Sequence, residues 1–137
     1  MHLKRLAKLI VAGSVALVVA LPAHAEKTVL NVYTALETDQ LKAYQESFNK
    51  SHPDIEIRWT RDSTGIITAK LLAEKGKPVA DVIMGVAASS MVVFDREGML
   101  EPYAPANLDA IEQRFRSAAN PPSWVGMDVW GAAICYN

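Results

Sequence analysis

Three short runs rich in β-branched and aromatic residues, each followed by a stretch with helical spacing and a polar start, most restrict what this chain can fold into. The first, 28–34 (Thr-Val-Leu-Asn-Val-Tyr-Thr), reads as a strand in the middle of a sheet. The second, 55–59, alternates apolar and charged residues as a strand near a sheet edge does. The third, 79–84, is an almost continuous apolar run suited to burial on both faces. Helices are expected between and after them. One runs from Thr38 or Asp39, both N-cap types, to about Lys50, with Leu41, Ala43, Tyr44 and Phe48 facing inward. Another occupies 61–75, where Asp62 and Ser63 cap an apolar set of Ile66, Ile67, Ala69, Leu71 and Leu72, and Gly76 closes it. A short third runs through Met91 to Arg96, with Gly98 as its left-handed stop. This alternation predicts an α/β fold: a parallel sheet covered by helices through right-handed crossovers.

The remainder is less regular. Pro102 and Pro105 break up 99–107, while Leu108, Ile111 and Phe115 give 108–118 a helical spacing. Pro121 and Pro122 end that segment, and 129–136 reads as a last strand. No cap, polar tail or turn follows that strand, so the chain is expected to be truncated there.

Residues 1–25 have the three parts of a secretory signal: cations at Lys4, Arg5 and Lys8, a 13-residue apolar core over 9–21, and the small-x-small site Ala23-His24-Ala25. That core is shorter than the roughly 20 residues a membrane-spanning helix needs. No cysteine follows it at the cleavage site, which argues for an exported, unanchored product and a periplasmic location. The segment holds three of the 14 cations and none of the 15 carboxylates, so its removal leaves 112 residues with a net charge of −4. Such a chain has no basic stripe for nucleic acid. Cys135 is the sole cysteine and cannot form an internal disulfide. His52 is the only histidine beyond the signal, which excludes a histidine-rich metal site or a histidine-based triad.

In an open parallel sheet, ligands sit beyond the carboxyl ends of the strands. Here those ends carry 34–37 with Glu37, 60–65 with Asp62, Ser63, Thr64 and Gly65, and 85–90 with Ala88, Ser89 and Ser90. Two of these loops are crowded with hydroxyls and small residues, and each opens a helix whose first N–H groups lack partners and carry partial positive charge. The set suits a small zwitterion with an anionic head and a cationic tail. The alternative is that these residues serve only as helix caps. Catalysis has weaker support: no nucleophile elbow or phosphate-loop lysine motif is present, and no base stands ready for Ser89. Met84, Met91, Met99, Trp124 and Trp130 read as core or loop filling, with Trp124 placed to reach a rim.

The signal, 32–37 (Val-Tyr-Thr-Ala-Leu-Glu), 61–65 (Arg-Asp-Ser-Thr-Gly), 68–75 and 80–83 together resemble periplasmic solute-binding proteins of ABC importers. Within them the chain is most similar to the 2-aminoethylphosphonate-binding branch, a relative of the ferric-iron-binding proteins, and 98–103 and 124–128 agree with it. The resemblance implies a type II periplasmic binding protein fold, in which ligand is trapped between two lobes and the closed form is read by a membrane permease. Residues 26–137 are then the first lobe, with helices on both faces of its sheet, and the second lobe is missing. It further implies that Ser63, Thr64, Gly65, Ala88, Ser89 and Ser90 hold the phosphonate, and that Glu37 or Asp62 meets the ammonium. No cofactor, no enzymatic activity and a monomeric state are expected. The alternatives are a ferric-iron or other oxyanion binder, a periplasmic enzyme on the same sheet, and a non-functional gene fragment.

Overall fold

The computed structural model describes residues 26–131 and 133–135. The expected signal at 1–25 lies outside them, as do positions 132, 136 and 137. Among the described residues, no helix is long and apolar enough to cross a membrane.

The elements alternate as β1 (Thr28–Thr34), α1 (Thr38–Ser51), β2 (Ile55–Arg61), α2 (Thr64–Ala73), β3 (Val82–Met84) and α3 (Ala88–Arg96). The strands form one parallel sheet in the order β2-β1-β3. Placing β1 in the middle follows from its composition: Val32, Tyr33 and Thr34 are all buried, so both faces of the strand are covered at its C-terminal end. Alternation then divides the layers. Tyr33 joins Ile67 and Leu71 of α2 and Phe94 of α3 in one core cluster. On the other face, Trp59 is in register with Val32, and its indole N–H donates to Gln45 Oε1 of α1 at 2.6 Å. The helices therefore flank both faces of the sheet. Met91 and Met99 pack against the core cluster, as their chemistry suggested. Gly98 adopts φ 65° just past α3, the left-handed stop read from the sequence.

Four expectations need correction. Ala43 and Tyr44 of α1 are exposed, because a helix lying over a two-strand surface buries only a narrow stripe around Leu41. The third strand begins at Val82, not residue 79, and it is an edge strand with Val82 40% exposed. Asp81 delays its start: the carboxylate accepts from the Asn31 backbone N–H (2.8 Å) and amide (3.1 Å), capping the sheet where a ladder would otherwise continue. The helix expected over 108–118 is instead two three-residue 3₁₀ turns, Leu108–Ala110 and Gln113–Phe115. Tertiary bonds override the periodicity there. Arg116 bridges Val125 in antiparallel fashion, and buried Ser117 takes the Ser123 N–H on its hydroxyl at 2.8 Å. Finally, 129–131 and 133–135 form no strand, and Trp130 is 65% exposed where a core position was expected. An apolar run becomes a strand only when a sheet edge receives it.

Beneath the sheet, Lys70 and Glu74 form a pair that the Tyr33 ring and hydroxyl complete. The Lys70 ammonium is 2.6 Å from Glu74 Oε1, and the Tyr33 hydroxyl donates to the same oxygen at 3.3 Å. The Lys70 hydrogen bond is the main reason that the Glu74 carboxyl is held below its ordinary 4.5; the Tyr33 bond acts in the same direction. A depressed carboxylate stabilises the fold above its unfolded value, and that contribution disappears as pH falls through the folded value. The melting-temperature difference between the parent and Glu74→Gln is therefore expected to be present at neutral pH and to close below pH 4.5. Calorimetric scans of both proteins across acidic pH check it, since the Lys75–Glu97 pair is common to both.

Candidate functional site

The three loops that leave the carboxyl ends of β1, β2 and β3 lie along one edge of the sheet, and each opens a helix. Because all three strands are parallel, the N-termini of α1, α2 and α3 gather at that edge. Each presents backbone N–H groups without intrahelical acceptors, so their partial positive charges act on one region.

Two contacts bind the first two loops into a unit. The register sets Thr34 opposite Arg61, which brings the Arg61 side chain under the loop that follows β1. Its Nε donates to the Leu36 carbonyl at 3.0 Å, and its Nη2 donates to Glu37 Oε2 at 2.5 Å. Thr34, fully buried, accepts the Leu36 N–H on its hydroxyl at 3.1 Å, while its carbonyl accepts the Asp62 N–H at 3.2 Å. The third loop packs against the first. Gly85 has φ 63°, and a Cβ there would fall within the Leu36 side chain, so this position requires glycine for both conformation and space.

Within this frame the expected site residues divide. Ser63 is the N-cap of α2 and exposed; its hydroxyl makes no capping bond, and its N–H donates to Asp62 Oδ1 at 2.7 Å. Thr64 and Gly65 form the first turn of α2, and a Cβ at Gly65 would meet nothing within 4 Å. Ala88 and Ser89 are exposed at the start of α3. Ser90 is turned the other way. It is buried, and its hydroxyl is 2.8 Å from that of Thr68, which also donates to the Thr64 carbonyl at 2.6 Å. That hydrogen bond fastens α2 to α3 close to their N-termini and holds the 63–65 and 88–89 turns beside one another. Glu37 is the N-cap of α1, with its own N–H bonded to Gln40 Oε1 at 3.0 Å and its carboxylate on Arg61. Asp62 is exposed and sits between Arg61 and the α2 cap. Among the described residues, no group of three or more His, Cys, Asp or Glu side chains is gathered as a metal site would need.

Nothing in the sequence singled out Arg61, because its role depends on strand register. It supplies a positive charge at a rim already biased toward anions, and it neutralises Glu37. Replacing it should loosen the 35–37 loop without unfolding the sheet. Arg61→Ala is expected to lose about 1 kcal/mol of stability, as partly exposed ion pairs do. Its amides at Leu36 and Glu37 should exchange faster while those of Val32 and Tyr33 stay protected, as hydrogen-exchange mass spectrometry would read.

A model of the bacterial extracellular solute-binding protein family matches residues 34–132, more than half of the chain. The chain is 30% identical over 63 residues to a probable ABC transporter periplasmic-binding protein of Sinorhizobium fredii, a match covering 46% of this chain and 18% of that protein. It superposes on the periplasmic binding protein AfuA of Actinobacillus pleuropneumoniae, solved with exogenous fructose-6-phosphate bound, with a TM-score of 0.59 and 28% identity, over 65% of this chain and 28% of that one. Iron-bound HitA of Pseudomonas aeruginosa, at 16% identity and a TM-score of 0.60 over 66% of this chain and 29% of that one, shares the fold. The chain thus spans about a fifth of the curated relative's length and under a third of these neighbours. The parallel sheet, its covering helices and the family match lead to one assignment: this chain belongs to the bacterial extracellular solute-binding protein family and carries part of the type II periplasmic binding protein fold.

Proposed function

We propose that residues 26–137 are the first lobe of a periplasmic binding protein that captures a small phosphonate, 2-aminoethylphosphonate, and delivers it to the membrane permease of an ABC importer. The observation that carries this reading is the meeting of three helix N-termini at one sheet edge, with Ser63, Thr64 and Gly65 beside Ala88 and Ser89. A tetrahedral oxyanion takes several hydrogen bonds at once, and hydroxyls with unpaired N–H groups offer them in this arrangement. The ester phosphate in the ligand of AfuA belongs to the same chemical class, which supports an anion-headed solute.

In this reading the ammonium end is met by Asp62. Glu37 is engaged by Arg61, so its charge is already balanced, whereas Asp62 is exposed and lacks a cationic partner among the described ion pairs. The role is binding, and the second lobe supplies the other wall of the cleft.

The experiment separates a ligand seat from a set of helix caps. Charge-assisted hydrogen bonds contribute about 1.5–3 kcal/mol each, so Ser63→Ala with Ser89→Ala should abolish micromolar binding of 2-aminoethylphosphonate in a protein carrying both lobes. Gly65→Ala should act oppositely on the two properties. Stability rises by roughly 0.5–1 kcal/mol, because alanine suits a helix better and its Cβ meets open space, while affinity falls as the methyl blocks close approach. Calorimetric titration and urea unfolding measure the two. Unchanged affinity in the serine double variant contradicts the phosphonate seat.

A further inference from the structure

Arg61 stands between two rim carboxylates and is bonded to only one of them. Its Nε and Nη2 hold the Leu36 carbonyl and the Glu37 carboxylate, whereas Asp62 turns its Oδ1 to the Ser63 N–H. The backbone fixes this choice from both sides. Strand register sets Arg61 opposite Thr34, just before the first loop, and the bond from the Glu37 N–H to Gln40 Oε1 anchors Glu37 at the start of α1.

The pair is also close to the 63–65 turn. Consecutive Cα atoms lie about 3.8 Å apart, so the backbones of Arg61 and Ser63 are separated by at most roughly 7.6 Å. That is within the Debye length of about 10 Å at 0.1 M salt, and charges at such a distance still act on one another. A Glu37 carboxylate left alone would offset the positive ends of the three helices and repel an anion. A guanidinium left alone would strengthen the attraction. Held together, the two charges cancel.

Resting on the reading of the rim as an anion seat, we propose that Arg61 is a specificity-determining residue, which acts through Glu37 by silencing its charge beside the seat. Glu37 restrains the guanidinium in return. The seat then depends for its attraction on hydroxyls and backbone N–H groups and not on a net side-chain charge, which favours a zwitterionic solute over a bare inorganic anion.

Titration of inorganic phosphate into the ¹⁵N-labelled chain at low ionic strength, read on the amides of Ser63, Thr64, Gly65, Ala88 and Ser89, tests it with four variants. Arg61→Gln leaves a net negative charge and should weaken phosphate binding about threefold, while Glu37→Gln leaves a net positive one and should tighten it about threefold. The double variant should return to the parent's affinity, and Arg61→Lys, which keeps the charge, should stay with the parent. These differences should collapse at 1 M salt, where the Debye length is about 3 Å. Loss of a merely structural contact predicts otherwise: each single variant binds no better than the parent, and the double variant does not recover. Circular dichroism verifies folding, and Glu37→Gln, which retains an acceptor oxygen at the N-cap, decides the matter alone if Arg61→Gln does not fold. Phosphate shifts at the rim amides of the parent with no tightening in Glu37→Gln overturn the role of Arg61 and leave the seat intact. Rim amides that stay in place in the parent and in Glu37→Gln overturn the seat, and the role of Arg61 with it.

Discussion

Burial of β1 on both faces and pairing along both its edges is the constraint on which the rest of the structure depends. Val32, Tyr33 and Thr34 have almost no contact with water, so the last turn of the strand is fixed more firmly than any other part of the sheet. From there the positions of the three loops follow. Thr34 holds the first loop through its hydroxyl and the second through its carbonyl, and the register carries Arg61 beneath the first. The Leu36 side chain leaves no room for anything but glycine at Gly85, which brings the third loop against the first. Three helix N-termini meet at one edge because one strand holds all three entries.

The core beneath this frame is small, and its chemistry is divided by face. Ile67, Leu71 and Phe94 pack on Tyr33, which turns its hydroxyl toward Glu74 and its ring toward Lys70 at 5.3 Å. The same glutamate has one oxygen satisfied and one not, and β3 has no further strand partner among the described residues. Val82 and Tyr103 are exposed on that side of the sheet. The rim and the edge are thus separable: one gathers backbone dipoles, the other lacks apolar cover.

Much of this was legible in the sequence, and for local reasons. Ser63 before an apolar helical spacing, Gly98 after one, and β-branched runs at regular intervals each report a conformation that neighbouring residues decide. The parallel sheet and the two hydroxyl-rich loops follow from those signals. What could not be read depends on partners distant in the chain. Asp81 shortens β3 by bonding Asn31, fifty residues away, and Ser117 gives up a helix to hold Ser123. Arg61 acts through strand register, and Ser90 faces Thr68 only because α2 and α3 lie side by side. Ser89 and Ser90 look equivalent in sequence, yet a 100° turn of the helix sends one to the rim and the other into the packing.

The claim that the rim is an anion seat, and not a set of caps, is tested most directly by following backbone amides of the ¹⁵N-labelled chain while 2-aminoethylphosphonate is added. Even weak binding by one lobe shifts the amides that touch the ligand. The account predicts saturable shifts confined to Ser63, Thr64, Gly65, Ala88 and Ser89, with inorganic phosphate moving the same amides and ethanolamine leaving them in place. Shifts elsewhere, or none up to the highest soluble ligand concentration, would contradict it.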